Sequence, residues 1–425
     1  MKRYTGYQWL LIDAANQWGL DKLIFEDRIQ WTTENLDNLE TVGTDRVLAE
    51  LSLPNDKKWK ESPLYFKAVF AIRKAQQGLP SGHMVGVDGC CSGIQVMSAL
   101  TGCVAGATAT GMIDPDVRAD AYTKVTELMG TILGSAVSVS RADAKQSLMT
   151  AFYGSKQKPK QIFGESTPEL DAFYKAATTV APGAWELLQD LLGSWKPYAL
   201  SHEWKMPDGF DVRIKVMADR TARIEVDELD HATFTYEFYE NKGSKSGLSN
   251  AANVVHSFDA YIVREMHRRC NYDSNVALIA NRVIENEMLI RASENIIRDL
   301  QQDKQVSYYV EQYERSTLAN AAILPHLTQG NVQLLDNNHL DALASIVNSM
   351  LSHKPFPLVT IHDEFRSHAN NVNFVRSTYI EIMAEIADSN VLDDVLSQLH
   401  NAPGSFNKLS FNLGDQIRKS NYALA

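Results

Sequence analysis

Two short stretches end in carboxylates that could hold a metal. In "MVGVDGCCSGIQ" an apolar run from Met84 to Val87 stops at Asp88 and turns on Gly89. In "FPLVTIHDEF" residues 356–361 form a second apolar run, read as a buried strand, that ends in His362 and Asp363. Taken alone, a strand-end aspartate is a turn residue. Two strands that each deliver one carboxylate to a common point make a clamp for Mg²⁺, because hard cations take oxygen ligands. A third stretch, "SRADAKQSLMTAFYGSKQKPK" (140–160), places Arg141, Lys145, Met149 and Tyr153 four residues apart. Such a row drifts slowly around a helix, so all four can look into one cleft. Two cations near its start and a phenol near its end suit a triphosphate and its sugar, whereas on an isolated helix the row is a solvated basic stripe.

The elements that must position these residues are readable from periodicity. Residues 1–80 are mostly helical, with a break near "LSLPND" (51–56), and their recurring aromatics are packing residues. A strand at 81–89 feeds a helix beginning at 92, and 115–134 and 138–153 carry helical spacing. Ser140 with Asp143 fits a capping box, and Gly154 fits a helix C-cap. From Trp204 to Tyr239 the pattern alternates, and "MPDG" precedes it, so antiparallel hairpins are expected. The polar segment 240–253 reads as a loop, and 254–350 as largely helical with breaks at "NYDSN" and "LTQGN".

Composition bounds the rest. The 425 residues are 44% hydrophobic and 22% charged, with a net charge of -11, which argues against a general nucleic-acid-binding surface. Cys90, Cys91, Cys103 and Cys270 have neither disulfide-framework nor zinc spacing, and read as small buried residues in a reducing compartment. The apolar run Trp9–Ile12, interrupted by Asp13, is too short for a secretory signal. No stretch has the length of a membrane span, so a soluble, intracellular, cytoplasmic protein is expected.

Together, "DGCCSGIQ", Arg141-x3-Lys145-x7-Tyr153-Gly154 and "IHDEF" resemble motifs A, B and C of the phage-type single-subunit RNA polymerases, the family of T-odd phage and mitochondrial enzymes. "GYQWLLIDAANQWGLDK" (6–22), "DAY" (120–122), "WKMPDGFDV" (204–212), "NVVHSFDA" (253–260) and "NLGDQIRKSNYALA" (412–425) are similar to further blocks of that family. The resemblance implies an α/β (α+β) fold shaped as a cupped right hand, with an antiparallel palm sheet and mostly helical fingers. Residues 1–105 would be the first part of the palm, 106–256 the fingers, and 257–425 the second part of the palm with the C-terminal foot. The last part would include a helical insertion at about 268–345.

It implies template-directed RNA synthesis on DNA from nucleoside triphosphates, with two Mg²⁺ ions on Asp88 and Asp363 and the Gly89 carbonyl as a further ligand. Asp88, Asp363, Lys145 and Tyr153 would be catalytic. Arg141, Lys145, Tyr153 and His256 would bind the nucleotide, Tyr153 choosing ribose. His362 would shape the turn at the primer end, and Cys90 and Cys91 receive no role. The family's N-terminal part, much of its thumb and its D-x-x-G-R motif are missing, and no Gly-Arg dipeptide occurs. This points to the larger subunit of a split polymerase, with a second subunit supplying the N-terminal functions. A single-stranded-DNA-binding or activator protein is a further expected partner, and no membrane. The promoter-reading hairpin, expected near 225–250, looks shortened.

Glu364 departs from the family, which has Ser there; His-Asp-Glu is the pattern of family A DNA polymerases. A DNA polymerase is therefore the alternative. "DGCCSGIQ" in place of D-Y-S-Q-I-E, Met149 in place of an aromatic, and the His256 block favour RNA. A catalytically dead binding subunit is a third reading, opposed by the joint presence of Asp88, Asp363, Arg141, Lys145 and Tyr153.

Overall fold

The computed structural model describes residues 1–37, 58–134, 139–244, 247, 249–293 and 302–425. The expected break at 51–56 lies outside them. Helices α1 (Gly6–Ala15), α2 (Phe25–Glu34) and α3 (Lys58–Gln76) lead to strand β1 (Met84–Asp88). Next come α4 (Ser92–Thr101), α5 (Val104–Ala109), α6 (Ala121–Leu133), α7 (Arg141–Ala151), α8 (Gln157–Phe163), α9 (Pro168–Val180) and α10 (Pro182–Gly193). Two hairpins follow, β2 (Ser201–Lys205) with β3 (Asp211–Lys215) and β4 (Met217–Val226) with β5 (Ala232–Asn241). Then come α11 (Ser249–Cys270), α12 (Ser274–Ala292), α13 (Lys304–Ser316) and α14 (Asn337–Leu351). Strands β6 (Val359–Ile361) and β7 (Glu364–His368) precede α15 (Val372–Asp388), α16 (Val391–His400) and α17 (Leu413–Ile417). Small antiparallel sheets among many helices make this an α+β fold, as expected.

One sheet positions the carboxylates. Its order is β1-β7-β6, antiparallel throughout, with Val87 opposite Phe365 and Asp88 opposite Glu364. Alternation along β1 buries Val85 and Val87 and releases Asp88 at the end. Behind it runs α4, whose residues Gly93–Thr101 are all buried. A helix apolar on every side needs neighbours on every side, and α4 packs on α5, α10, α11 and α15. Ile94 and Leu100, each 1% exposed, contribute roughly 1.5–3 kcal/mol apiece.

The run 356–361 is not the buried strand expected from sequence. Only Val359–Ile361 pairs, at the sheet edge, with Val359 44% and Ile361 53% exposed. Phe356 and Leu358 are the buried members. The apolar run straddles a core anchor and an edge strand, which composition does not separate. Segment 240–253 also differs from the loop reading: β5 continues to Asn241, and α11 starts at Ser249. The hairpin expected to be short near 225–250 is a ribbon of ten residues per strand at 217–241.

Helices α12–α14 have a hydrophobic core of their own, from Ala277 to Met350, while Met266 and Cys270 of α11 belong to the main core. Within α12–α14 His339 is buried, stacked on Tyr313 at 3.9 Å and 8°, and its Nδ1 has no hydrogen-bond partner. Burial pulls its pKa down to about 4, against a weaker opposing pull from Asp336. The folded state favours the neutral ring, so this stability is present above about 6.5 and is lost as pH falls toward 4. At pH 5 the loss should be about 2 kcal/mol. His339→Phe keeps the stacked ring, so its melting temperature should fall less than wild type between pH 7 and 5. Identical slopes would remove His339 as the cause.

Candidate active site

Asp363 sits not at a strand end but in the two-residue turn between β6 and β7, where His362 takes a left-handed backbone (φ 56°). The Gly89 N–H donates to the Asp363 carbonyl at 3.3 Å. A Cβ on Gly89 would stand a tight 3.2 Å from Gln95 Oε1 and in ordinary contact, 3.5 Å, with Asp363 Oδ2, so a glycine leaves room for Gln95 beside the carboxylates. On the other side, Asp88 and Ala425 exchange backbone hydrogen bonds at 3.0 and 3.4 Å. Gln95 ties this corner together, donating to the Thr110 and Ala423 carbonyls and accepting from the Tyr379 hydroxyl.

Charge is crowded here. The Asp88 side chain opens onto the cleft, yet the surrounding walls withdraw bulk water and push its pKa up to about 6, with Asp363 and Glu364 adding repulsion. Asp259, three residues after His256 on α11, is pushed up to about 7 by burial and then by Asp363. Three acids facing one cleft, two of them raised, form an oxygen donor set that a divalent cation would relieve. The residues therefore fit a hard divalent cation. The one tight acidic group among the described residues lies elsewhere, Glu225, Asp227 and His231 at the exposed ribbon tip. His231 there is already hydrogen-bonded to Glu225.

The helix row converges as its spacing requires. Ser140 caps α7 by accepting from the Asp143 N–H. Arg141 donates to Asp120 Oδ2 through Nε at 2.8 Å and Nη2 at 2.5 Å, while Asp120 Oδ1 caps α6 through the Tyr122 and Thr123 N–H groups. Lys145 Nζ lies 5.6 Å from the Tyr122 ring centroid. Tyr153 follows the helix end, where Gly154 (φ 90°) closes it. The phenol rests against Gly93, where a Cβ would come within 2.8 Å of its hydroxyl, and its ring is 5.1 Å from that of His256. Burial pushes the phenol pKa well above its usual value, and burial with nearby His362 pulls that of His256 down.

Two adjoining compartments result, sharing Asp88, Gly89, Cys91, Tyr122 and Lys145. The polar one is also lined by Lys22, Arg118, Asp120, Arg141 and Glu364. The other is lined by Met149, Phe152, Tyr153, His256, His362 and Asp363, together with Asp259. All eight residues singled out from sequence thus border one cleft. Cys91 caps α4 in a left-handed conformation, and burial pushes its thiol up to about 12, which leaves it inert. Glu364 is held by Arg366 Nη2 at 2.6 Å. Sequence reasoning missed Asp259 and Arg118. Asp259 could have been found from its i+3 spacing to His256; Arg118 had no signal.

Residues 3–162 match the DNA-dependent RNA polymerase family. The chain is 29% identical over 311 residues to the DNA-directed RNA polymerase of Pseudomonas phage phiKMV, covering 60% of this chain and 37% of that protein. It is 29% identical over 188 residues to T7 RNA polymerase of Escherichia phage T7, covering 42% and 19% respectively. Against the mitochondrial DNA-directed RNA polymerase of Neurospora crassa it is 26% identical over 178 residues, covering 37% and 12%. The matches to these relatives span little more than a third of their length at most. Asp88, Gly89, Arg141, Lys145 and Tyr153 lie inside the family match; His256, His362 and Asp363 lie beyond it.

Proposed function

We propose that the chain, whose residues 3–162 match the DNA-dependent RNA polymerase family and which is similar to phage DNA-directed RNA polymerases, performs template-directed RNA synthesis on DNA by nucleotidyl transfer. The observation that carries this reading is the divided cleft, with Asp88 where a charged compartment holding Arg118, Arg141 and Lys145 meets one lined by Tyr153, His256 and Asp363. The palm would comprise residues 1–105 and 257–425, with the inserted helices, and the fingers residues 106–256.

Asp88 and Asp363 would hold two Mg²⁺ ions, with the Gly89 carbonyl adjacent. Bound there, the metal supplies Lewis acidity to the RNA 3′-hydroxyl and neutralises charge on the leaving pyrophosphate. The 3′-oxygen attacks the α-phosphorus, the bond to the β-bridging oxygen breaks, and the hydroxyl proton leaves to solvent. Lys145 stabilises the leaving pyrophosphate by a charge-assisted hydrogen bond or by giving it a proton. Arg141, held on Asp120 through Nε and Nη2, would present its remaining N–H donors to phosphate. His362 sets the turn that carries Asp363 to the primer end.

The split arrangement, with a second subunit supplying N-terminal functions, is supported by the exposed apolar residues Leu278, Ile279 and Leu289 on α12. The ribbon at 217–241 holds Asp219, Glu225, Asp227, Glu228, Asp230, Glu237 and Glu240 against Arg220 and Arg223. That acidity suits promoter reading poorly, and a single-stranded-DNA-binding or activator protein would compensate. No helix among the described residues is long and apolar enough to cross a membrane. The DNA polymerase alternative rests on Glu364, whose carboxylate pairs with Arg366 Nη2 at 2.6 Å.

Extension of an RNA primer on a DNA template tests the reading, using the chain purified with whatever accompanies it. Ribonucleotides should be incorporated, and incorporation of deoxyribonucleotides alone would overturn it. In the same assay Tyr153→Phe should keep the rate within about tenfold while cutting the preference for ribonucleotides about tenfold, the worth of one hydrogen bond. An unchanged preference would take Tyr153 out of sugar selection.

A further inference from the structure

Arg118 lies in the segment between α5 and α6 and lines the polar compartment with Asp88, Arg141, Lys145 and Glu364. Its one recorded hydrogen bond runs from Nη1 to the carbonyl of its own neighbour, Ala119, at 3.0 Å. Its Nε is buried with no hydrogen-bond partner among the described residues. The neighbouring cations are committed elsewhere: Arg141 to Asp120, and Lys22 to Asp21 at 2.7 Å. Arg28 is fully buried among neutral acceptors, the Leu23 and Asp21 carbonyls and Asn16 Oδ1, and feels repulsion from Arg118. Among the described residues no carboxylate stands within ion-pair distance of Arg118, although its charge reaches Asp88.

A partly buried guanidinium with an unused donor is costly unless an anion meets it. Its planar fork matches phosphate oxygens better than an ammonium does. We propose that Arg118 is a phosphate-contacting residue, holding the polyphosphate of the incoming nucleotide and then pyrophosphate, alongside Lys145. The identity of that ligand rests on the polymerase reading. Arg118 would thereby supply a second guanidinium beside Arg141, which is paired with Asp120.

The test is calorimetric titration of inorganic pyrophosphate in Mg²⁺ buffer into the purified protein, with primer extension run alongside. Arg118→Gln should weaken pyrophosphate binding tenfold or more and raise KM for ribonucleotides by a similar factor, with kcat little changed. Arg118→Lys should recover part of both losses. A purely structural role would lower kcat and melting temperature together and show no such recovery. Should Arg118→Gln fold poorly, Arg118→Lys against wild type carries the comparison, because it keeps the charge and loses the fork. Wild-type pyrophosphate affinity in a folded Arg118→Gln protein, or no pyrophosphate binding by wild type, overturns the proposal. Arg118-dependent pyrophosphate binding without any RNA extension overturns the polymerase reading alone.

Discussion

Asp363→Asn should yield a folded protein whose primer extension is lower by at least about a thousandfold, equivalent to about 4 kcal/mol of transition-state stabilisation. The substitution is nearly isosteric. It leaves the turn intact, because the contact from the Gly89 N–H goes to the Asp363 backbone carbonyl, not to the side chain. What it removes is the charge on the acid that repels both Asp88 and Asp259. Relief of that repulsion means the melting temperature of the metal-free protein should hold or rise. The carboxylates thus oppose the metal-free fold, as expected of groups placed for a cation rather than for packing. Melting curves and extension assays on the same preparation separate the two effects. Extension near the wild-type rate would sink the assignment of Asp363, and a large fall in melting temperature would make its role structural.

Much of this site was legible because its geometry is local. Asp88 ends a strand whose alternation is visible in "MVGVD", and the row Arg141, Lys145, Met149, Tyr153 needs only helical spacing to share a cleft. The hairpins between 201 and 241 follow from alternation in the same way. What depends on distant partners was not legible. The pairing of Arg141 with Asp120 spans two helices. The isolation of Arg118 is a property of what fails to surround it, and burial of Asp259 beside Asp363 requires α11 to meet the β6–β7 turn. The misreading of 356–361 has the same origin. Six apolar residues satisfy a core anchor followed by an edge strand as well as one buried strand, and only the position of β7 between β1 and β6 decides which side of the run is covered.

Arg376→Met should be strongly destabilising, costing on the order of 3–5 kcal/mol. Arg376 is fully buried on α15 without a carboxylate hydrogen-bond partner among the described residues. Its guanidinium donates to the carbonyls of Lys2, Asn421 and Leu424 and to Asn421 Oδ1. It also lies 5.0 Å from the Trp9 ring and 4.7 Å from the Phe25 ring. Desolvation pulls its pKa down to about 10, so the cation is held by oriented carbonyls and ring faces in place of water. Methionine would fill much of the stem's volume but would orphan the buried acceptors, and the segment 421–425 would lose its anchor. That segment is the one whose Ala425 pairs with the Asp88 backbone and whose Ala423 carbonyl receives Gln95. The fold and the site are therefore coupled through one side chain, which donates to the Leu424 carbonyl beside the residue that pairs with Asp88. The expected signature is a lowered melting temperature, faster proteolysis at the C-terminal segment, and reduced extension that low temperature partly restores. A wild-type melting curve for Arg376→Met would show that the segment is held by Gln95 and the Gly89–Leu424 bridge without it.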